Sequence, residues 1–220
     1  ARVTGSIAIS VEGVLTPVRA NVQLVVSDAH ENNATISSTS TNGSSYEVLV
    51  KSLPANLTEA VAYLSVVDTK GTTTTTLNEG NYTYKVTEDT SRFTVTFKGL
   101  NAPANSIAYD QAVTVTFRQI DAAEMVSLDK AAVETALRNM SIQTDATWSA
   151  SDDLVSDIQS QLRSAGFWGT TITVTNATIP GSWNTNETGP VEVSVTVRLV
   201  NGEKTDTISG TFTMTLGPNA

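Results

Sequence analysis

The feature that most restricts the fold is a two-residue alternation near the C-terminus. Val191, Val193 and Val195 alternate with Glu192, Ser194 and Thr196, and further on Ile208, Gly210 and Phe212 alternate with Thr207, Ser209 and Thr211. Successive side chains of a strand point to opposite faces, so each run presents one apolar and one hydroxyl-rich face. Between them lies Asn201-Gly202, the favoured two-residue hairpin turn. That turn predicts a register pairing Val191 with Phe212, Val193 with Gly210 and Val195 with Ile208. On the other face Glu192, Ser194, Thr196 and Arg198 meet Thr211, Ser209, Thr207 and Thr205. The valine face belongs on a core and the hydroxyl face in water.

The same bias runs through the chain, which has 35 Thr and 25 Val among 220 residues. Both are β-branched and fit pleated, half-buried surfaces. Residues 3–118 read as short strands with no helix, at 3–11, 18–27, 45–52, 60–67, 81–88, 92–98 and 112–118. Tyr82/Tyr84/Val86, Phe93/Val95/Phe97 and Val113/Val115/Phe117 each line one face. Asn42-Gly43, Pro54, Asn78 to Gly80 and Pro103 supply turns. The five threonines at 72–76 read as an edge strand, or as an O-glycosylated or adhesive stretch. Strands at this spacing predict an immunoglobulin-like β-sandwich over residues 1–120.

From residue 121 the period changes to 3.6. Residues 127–139 place Leu128, Ala132, Val133, Ala136 and Leu137 on one stripe. A second helix is expected after Ser151 as N-cap, with Asp152 and Asp153 at its positive end and Arg163 at its other end. Leu154, Val155, Ile158, Leu162 and Ala165 form its apolar face, and Gly166 stops it. Strands return at 170–179, 190–200 and 203–216. Residues 121–220 therefore predict a small α+β domain with two helices on one face of an antiparallel sheet. The whole chain is mainly β.

Charge and missing residue types exclude several functions. Thirteen Lys+Arg against 22 Asp+Glu leave a net charge of −9. Nucleic acid binding needs a basic stripe, and anionic membranes repel such a surface. No apolar run reaches the roughly 18 residues of a spanning helix, so no membrane insertion is expected. Cysteine is absent and His30 is the single histidine. Cys nucleophiles, Cys/His zinc sites, Fe–S clusters and CxxC redox chemistry are thereby removed. Gly-rich phosphate loops, G-x-S-x-G elbows and H-E-x-x-H are missing too, so the chain reads as no enzyme. His30 lies in a polar stretch and is expected to be a solvated loop residue. Thr/Ser/Val/Asn-rich, Cys-free chains recur in prokaryotic surface proteins and in virions, and an extracellular, cell-surface location is expected. The chain starts at Ala1 without Met, which fits removal of either an export signal or an initiator Met.

In the second half, an Ala-rich helix beginning Asp129-Lys-Ala-Ala-Val-Glu-Thr-Ala-Leu137 leads to a second helix. A strand Thr170-Thr-Ile-Thr-Val-Thr175, a Gly-containing loop and a Thr-rich hairpin follow. This order resembles a module repeated in cell-surface and S-layer-associated proteins of Gram-positive bacteria, over about 95 residues. The resemblance implies a non-catalytic spacer or assembly module. The tryptophans Trp148, Trp168 and Trp183 depart from that pattern. The first half resembles Ig-like surface domains at the level of class.

Those three tryptophans are the candidate ligand-binding residues, since exposed aromatic faces stack on sugar rings. The competing expectation is that Trp148 and Trp168 cap the helix–sheet core, while Trp183, in the polar loop 180–190, is the exposed one. Seven N-x-[S/T] sequons, at Asn33, Asn42, Asn56, Asn81, Asn139, Asn176 and Asn186, are candidate N-glycosylation sites. Composition alone gives about four such sites, so polar turn and strand-face residues account for most of them. The acidic groups Glu88-Asp89, Asp121 with Glu124, and Asp152-Asp153 with Asp157 are scattered. They provide no EF-hand loop and no metal site, leaving structural calcium in a loop as the one cofactor open.

Together these features predict a non-catalytic extracellular structural protein, a subunit or stalk module of a prokaryotic surface layer, filament or adhesin. Assembly would run through strand edges or an exchanged terminal strand, at residues 1–11 or 211–220. Its partners would be further copies or neighbouring surface-protein domains, and glycans. The alternatives are a carbohydrate-binding accessory module of a secreted glycan-degrading or adhesive system, and a virion decoration or fibre protein.

Overall fold

The computed structural model describes residues 4–10, 19–27, 29–38, 45–70, 73–76, 83–89, 92–98, 113–145, 148–150, 153–184 and 186–218. The chain divides into two units, Ala1–Ile120 and Asp121–Ala220.

In the first unit, strands β1 (Thr4–Ser10), β2 (Arg19–Val26), β3 (Ala34–Ser38) and β4 (Ser45–Val50) precede a short helix α1 (Leu57–Ala62). After it come β5 (Leu64–Lys70), β6 (Thr73–Thr76), β7 (Thr83–Asp89), β8 (Arg92–Lys98) and β9 (Val113–Gln119). One sheet has the order β1-β2-β5-β6 and is antiparallel throughout; four of the five consecutive threonines form its edge strand β6. The other has the order β3-β4-β9-β8-β7, with β4 and β9 parallel. Val26, Val48, Val50, Val115 and Phe117 are buried, and Tyr63 packs edge-on against Phe117 at 5.6 Å. One antiparallel and one mixed sheet do not by themselves define the expected immunoglobulin sandwich.

Two local expectations fail here. A strand was expected at 60–67, whereas α1 occupies its first part and β5 starts at Leu64. The cause is a capping pair: the Asn56 side chain accepts from Glu59 N–H at 3.0 Å, and the Glu59 carboxylate accepts from Ala55 N–H at 3.0 Å. Asn56 and Glu59 thus satisfy donors that the first turn would leave bare. His30 is half-buried rather than solvated, stacked on Tyr63 at 4.1 Å between ring centroids.

The second unit runs α2 (Ala122–Arg138), β10 (Ser141–Thr144), α3 (Asp153–Leu162), β11 (Thr171–Thr178), β12 (Gly189–Asn201) and β13 (Lys204–Pro218). Both helices lie on the sheet, α2 against β12 and β13 and α3 against β11. The sheet order is β10-β13-β12-β11, and it is mixed rather than antiparallel because β10 runs parallel to β13. The C-terminal segment is therefore an interior strand.

α2 starts five residues before the expected position because Asp121 caps it, accepting from Glu124 N–H at 2.9 Å. Its buried residues are Val126, Asp129, Val133 and Leu137, while Leu128 is 37% exposed. The true stripe is rotated from the one expected, and it carries an acid. α3 ends at Leu162, before Arg163, Ala165 and Gly166; Ser151 and Asp152 lie outside the described residues.

The hairpin forms with a shifted register, Val191 opposite Met214, Val193 opposite Phe212, Val195 opposite Gly210 and Val197 opposite Ile208. Asn201 pairs with Lys204, so Gly202-Glu203 is the central pair, with Gly202 at φ 59°. Glycine takes that left-handed first central position without the Cβ penalty that most other residues carry. The slip moves each partner by two residues, so every side chain keeps its face.

Candidate functional site

The residues just before α3 are tied to its first two turns. Asp153 Oδ2 accepts from Ser149 N–H at 2.7 Å, and Asp157 Oδ2 accepts from the Trp148 indole N–H at 2.6 Å. Asp153 and Asp157 are one helical turn apart and address the same segment. Trp148 is 9% exposed and lies in the core with Leu154 and Ile158. Its indole fills apolar space and its single donor is satisfied at a charge-assisted distance.

Trp183 follows β11 in the loop before β12. It is half-buried rather than exposed and meets Trp148 edge to face, with centroids 5.7 Å apart and rings at 88°. Beside it opens a pocket of about 370 Å³, whose lining residues include Trp183, Ile179, Val155, Ala177 and Gly181, with Asn176 and Thr178 of β11. Asn176 stands where β11 bulges: the register with β12 shifts between Val174 and Asn176, and Thr175 Oγ1 bonds Thr196 O at 3.3 Å. Beyond the bulge the alternation resumes, with Asn176 opposite Thr196 and buried Ala177 opposite Val195.

Trp168 is not part of this group. It is 4% exposed and precedes β11, at the end opposite Trp183. There Asp129, fully buried on α2, accepts from the N–H groups of Phe167 at 2.8 Å, Trp168 at 3.1 Å and Thr170 at 3.3 Å. Asn201 Nδ2 donates to Trp168 O at 3.2 Å and to Thr170 Oγ1 at 3.3 Å. A Cβ on Gly166 would come within 3.1 Å of Ile172 Cδ1 and 3.4 Å of Asp129 Cγ, so the loop passes close over the acid. This cluster holds loop to helix and hairpin. Sequence reasoning missed it, although an Asp on the stripe Val126, Asp129, Val133, Leu137 was the available signal.

The sheet edges form a second candidate. Gln159 of α3 accepts from Val174 N–H at 2.7 Å and donates to Ile172 O at 2.9 Å, occupying the outer edge of β11 as a strand would. At the opposite edge, Met140 O accepts from Thr215 N–H, so the backbone groups of alternate residues from 140 face β13 and those of Ser141 and Gln143 face outward. Gln161 Nε2 donates to Ser141 O at 2.7 Å. Beyond it a polar groove of about 480 Å³ separates β10 from α3, lined by Gln143, Asp145, Asp157 and Ser160 among others.

Of the sequons, Asn56 caps α1, and Asn139 closes α2 with its amide donating to Thr135 O at 3.0 Å. Asn176 and Asn186 are exposed, Asn33 is half-buried, and Asn42 and Asn81 lie outside the described residues. Among the described residues no three His, Asp or Glu side chains are placed to hold a metal ion, and no helix is long and apolar enough to cross a membrane.

No protein-family model matches the chain. No curated protein matches it either. A solved structure of mouse protocadherin-24, repeats EC1–3, aligns over 98% of this chain and 80% of its own, at 15% identity and a TM-score of 0.22. A likeness of that size carries neither fold nor function across.

Proposed function

We propose that the protein is a non-catalytic structural component of a prokaryotic cell surface, a subunit or stalk module that assembles by strand addition at its sheet edges. The observation that supports this best is the unequal treatment of the two edges of the second unit. Gln159 plugs β11 with a donor and an acceptor, whereas β10 is met by one amide and faces a polar groove of about 480 Å³. An unpaired edge is a template for another strand unless something covers it. On this reading the first unit is an immunoglobulin-like spacer, and its N-terminal strand β1, at the edge of its sheet, is a segment able to leave. The C-terminal segment drops out of that role because β13 is held on both sides by β10 and β12. The resemblance to S-layer-associated modules and the hydroxyl-rich, acidic exterior fit the same reading.

Light scattering with negative-stain microscopy tests it. Concentration-dependent filaments, sheets or rings are expected. Gln143→Pro, which removes an outward N–H at an edge position where proline is tolerated, should suppress them. Deleting residues 1–11 tests β1 as the donor. A wild-type protein that stays monomeric, or assembly that survives both changes, overturns strand addition.

A further inference from the structure

We infer that the outer edge of β13 at residues 209–213 accepts strand β1, Thr4–Ser10, of a second copy. The inference rests on strand addition as the mode of assembly and names its acceptor and donor. β10 flanks β13 only from Thr215 to Pro218, whereas β12 pairs with it from Lys204 to Leu216 without a break. Thr215 donates its N–H to Met140 O, and backbone direction alternates along a strand. Odd-numbered residues of β13 therefore turn their N–H and C=O groups away from β12. Towards the turn this edge is closed. The Thr207 N–H donates to Asp206 Oδ1 at 2.7 Å, and Lys130 of α2 holds Asp206 at 3.2 Å. Between that plug and β10, the outward N–H groups of Ser209, Thr211 and Thr213 meet no acceptor among the described residues. Such a row is a template for a further strand.

The slot is bounded at both ends, and the bounds select its occupant. A second β13 centred on Thr211 would bring its own Thr207 opposite Thr215, where Ser141 already lies. Set nearer the turn, it would need the Thr207 N–H that Asp206 holds. A strand of another sheet is required, and its pattern must suit two faces. Ser209, Thr211 and Thr213 are exposed on the hydroxyl face. On the core face Gly210 is exposed and Phe212 half-buried, and a Cβ on Gly210 would lie 3.6 Å from Phe212 Cε2. A strand with small polar residues on one side and branched apolar ones on the other covers both. In β1, Ile7 and Ile9 alternate with Ser6, Ala8 and Ser10, and no residue from Thr4 to Ser10 is charged. β1 lies at the edge of its sheet with β2 as its strand partner, so it can pair on its other side without giving up β2. The other edges of the first unit fit less well. β7 carries Lys85, Glu88 and Asp89, β6 is four threonines, and β3 has one large apolar residue, Ile36. The edges of β1 and β13 are different surfaces, so each contact leaves one of each kind unfilled and further copies can add.

The lack of cysteine makes a direct test possible on the full chain. Thr211→Cys is mixed with Ser6→Cys or Ala8→Cys in a second preparation of different mass. The mixture is then oxidised or treated with a short bis-maleimide. At least one pairing should give mixed dimers at about tenfold or more the yield of a Thr173→Cys control. That control residue lies on β11, whose edge Gln159 closes. Amide exchange at Ser209, Thr211 and Thr213 should be fast in dilute protein and slow by about tenfold or more on assembly. Thr215, already bonded to Met140, should be protected in both. Thr211→Pro removes an outward N–H and no bond to β12, so assembly should be lost while the tryptophan-detected unfolding midpoint holds. Wild-type protein that stays monomeric at every concentration removes strand addition itself, and this inference with it. If wild-type protein assembles, the inference alone is overturned by any of three results: no cross-link above the control, amides that stay unprotected, or Thr211→Pro assembling as wild type does. Each would leave β10 as the acceptor.

Discussion

In Ala1–Ile120 the pairing that joins the two halves of the five-stranded sheet brings residues 45–50 beside residues 114–119. In Asp121–Ala220 the longest pairing is a hairpin, Gly189–Asn201 on Lys204–Pro218, closed by two residues. The first arrangement closes a long loop for its contacts and the second a short one. They also differ in how polar groups are buried. The first unit uses an ion pair, Arg118 Nε to Glu47 Oε1 at 2.8 Å, that water still reaches. The second buries one carboxylate completely and surrounds it with backbone donors. The described residues of the first unit are thus mostly strand with one short capped helix, whereas the second carries a polar lock where helix, loop and hairpin converge.

The largest expected effect breaks that lock. Asp129→Ala leaves the N–H groups of Trp168 and Thr170 buried without acceptors and should cost about 3 kcal/mol. Asp129→Asn should cost less, because one acceptor oxygen remains. The readout is already separated: all three tryptophans lie in the second unit and all five tyrosines in the first. Denaturation followed by tryptophan fluorescence should shift, while the tyrosine signal holds. Equal shifts in both would mean that the two units share their stability.

Gly202→Val comes next. A β-branched residue at φ 59° should cost roughly 2 kcal/mol and loosen the hairpin. Amide exchange in β12 and β13 should rise from the turn outward, and no change there would contradict the turn as described. In the first unit the counterpart is Asn56→Ala, which removes the cap of α1 and should cost about 1 kcal/mol, read by tyrosine.

These residues show what was legible in the sequence. The hairpin faces were readable because a period of two assigns faces without the register; the register itself depended on which two residues turn, and Gly202 decided against Asn201. α1 was hidden because Asn56-Leu-Thr reads as a glycan acceptor until Glu59 is seen as its capping partner. β10 has four residues, too few for a period, and its partner lies more than 70 residues away. Of the candidate site, the tryptophans stood out but their grouping did not. Trp183 has no apolar neighbour in sequence, yet it packs on Trp148 across 35 positions, and such a contact exists only once the fold is made.

The smallest effects sharpen the comparison through pH, with opposite signs in the two units. Burial pushes the Tyr63 hydroxyl above the ordinary tyrosine range, and Glu59 adds to the shift; burial does the same to Tyr46. A raised folded-state pKa favours the protonated form, so this stability is complete below the ordinary tyrosine range and is lost as pH rises through the raised values. The second unit has no tyrosine to lose. Asp206 moves the other way, held below the usual carboxylate range by the Thr207 N–H at 2.7 Å and then by Lys130. Its contribution is present above the ordinary Asp range and is lost as pH falls through the lowered value. Alkaline titration should therefore move the tyrosine-detected transition first. The acid-side effect of Asp206→Asn should be confined to the tryptophan-detected one and shrink in high salt, because Asp206 and Lys130 are both in reach of solvent.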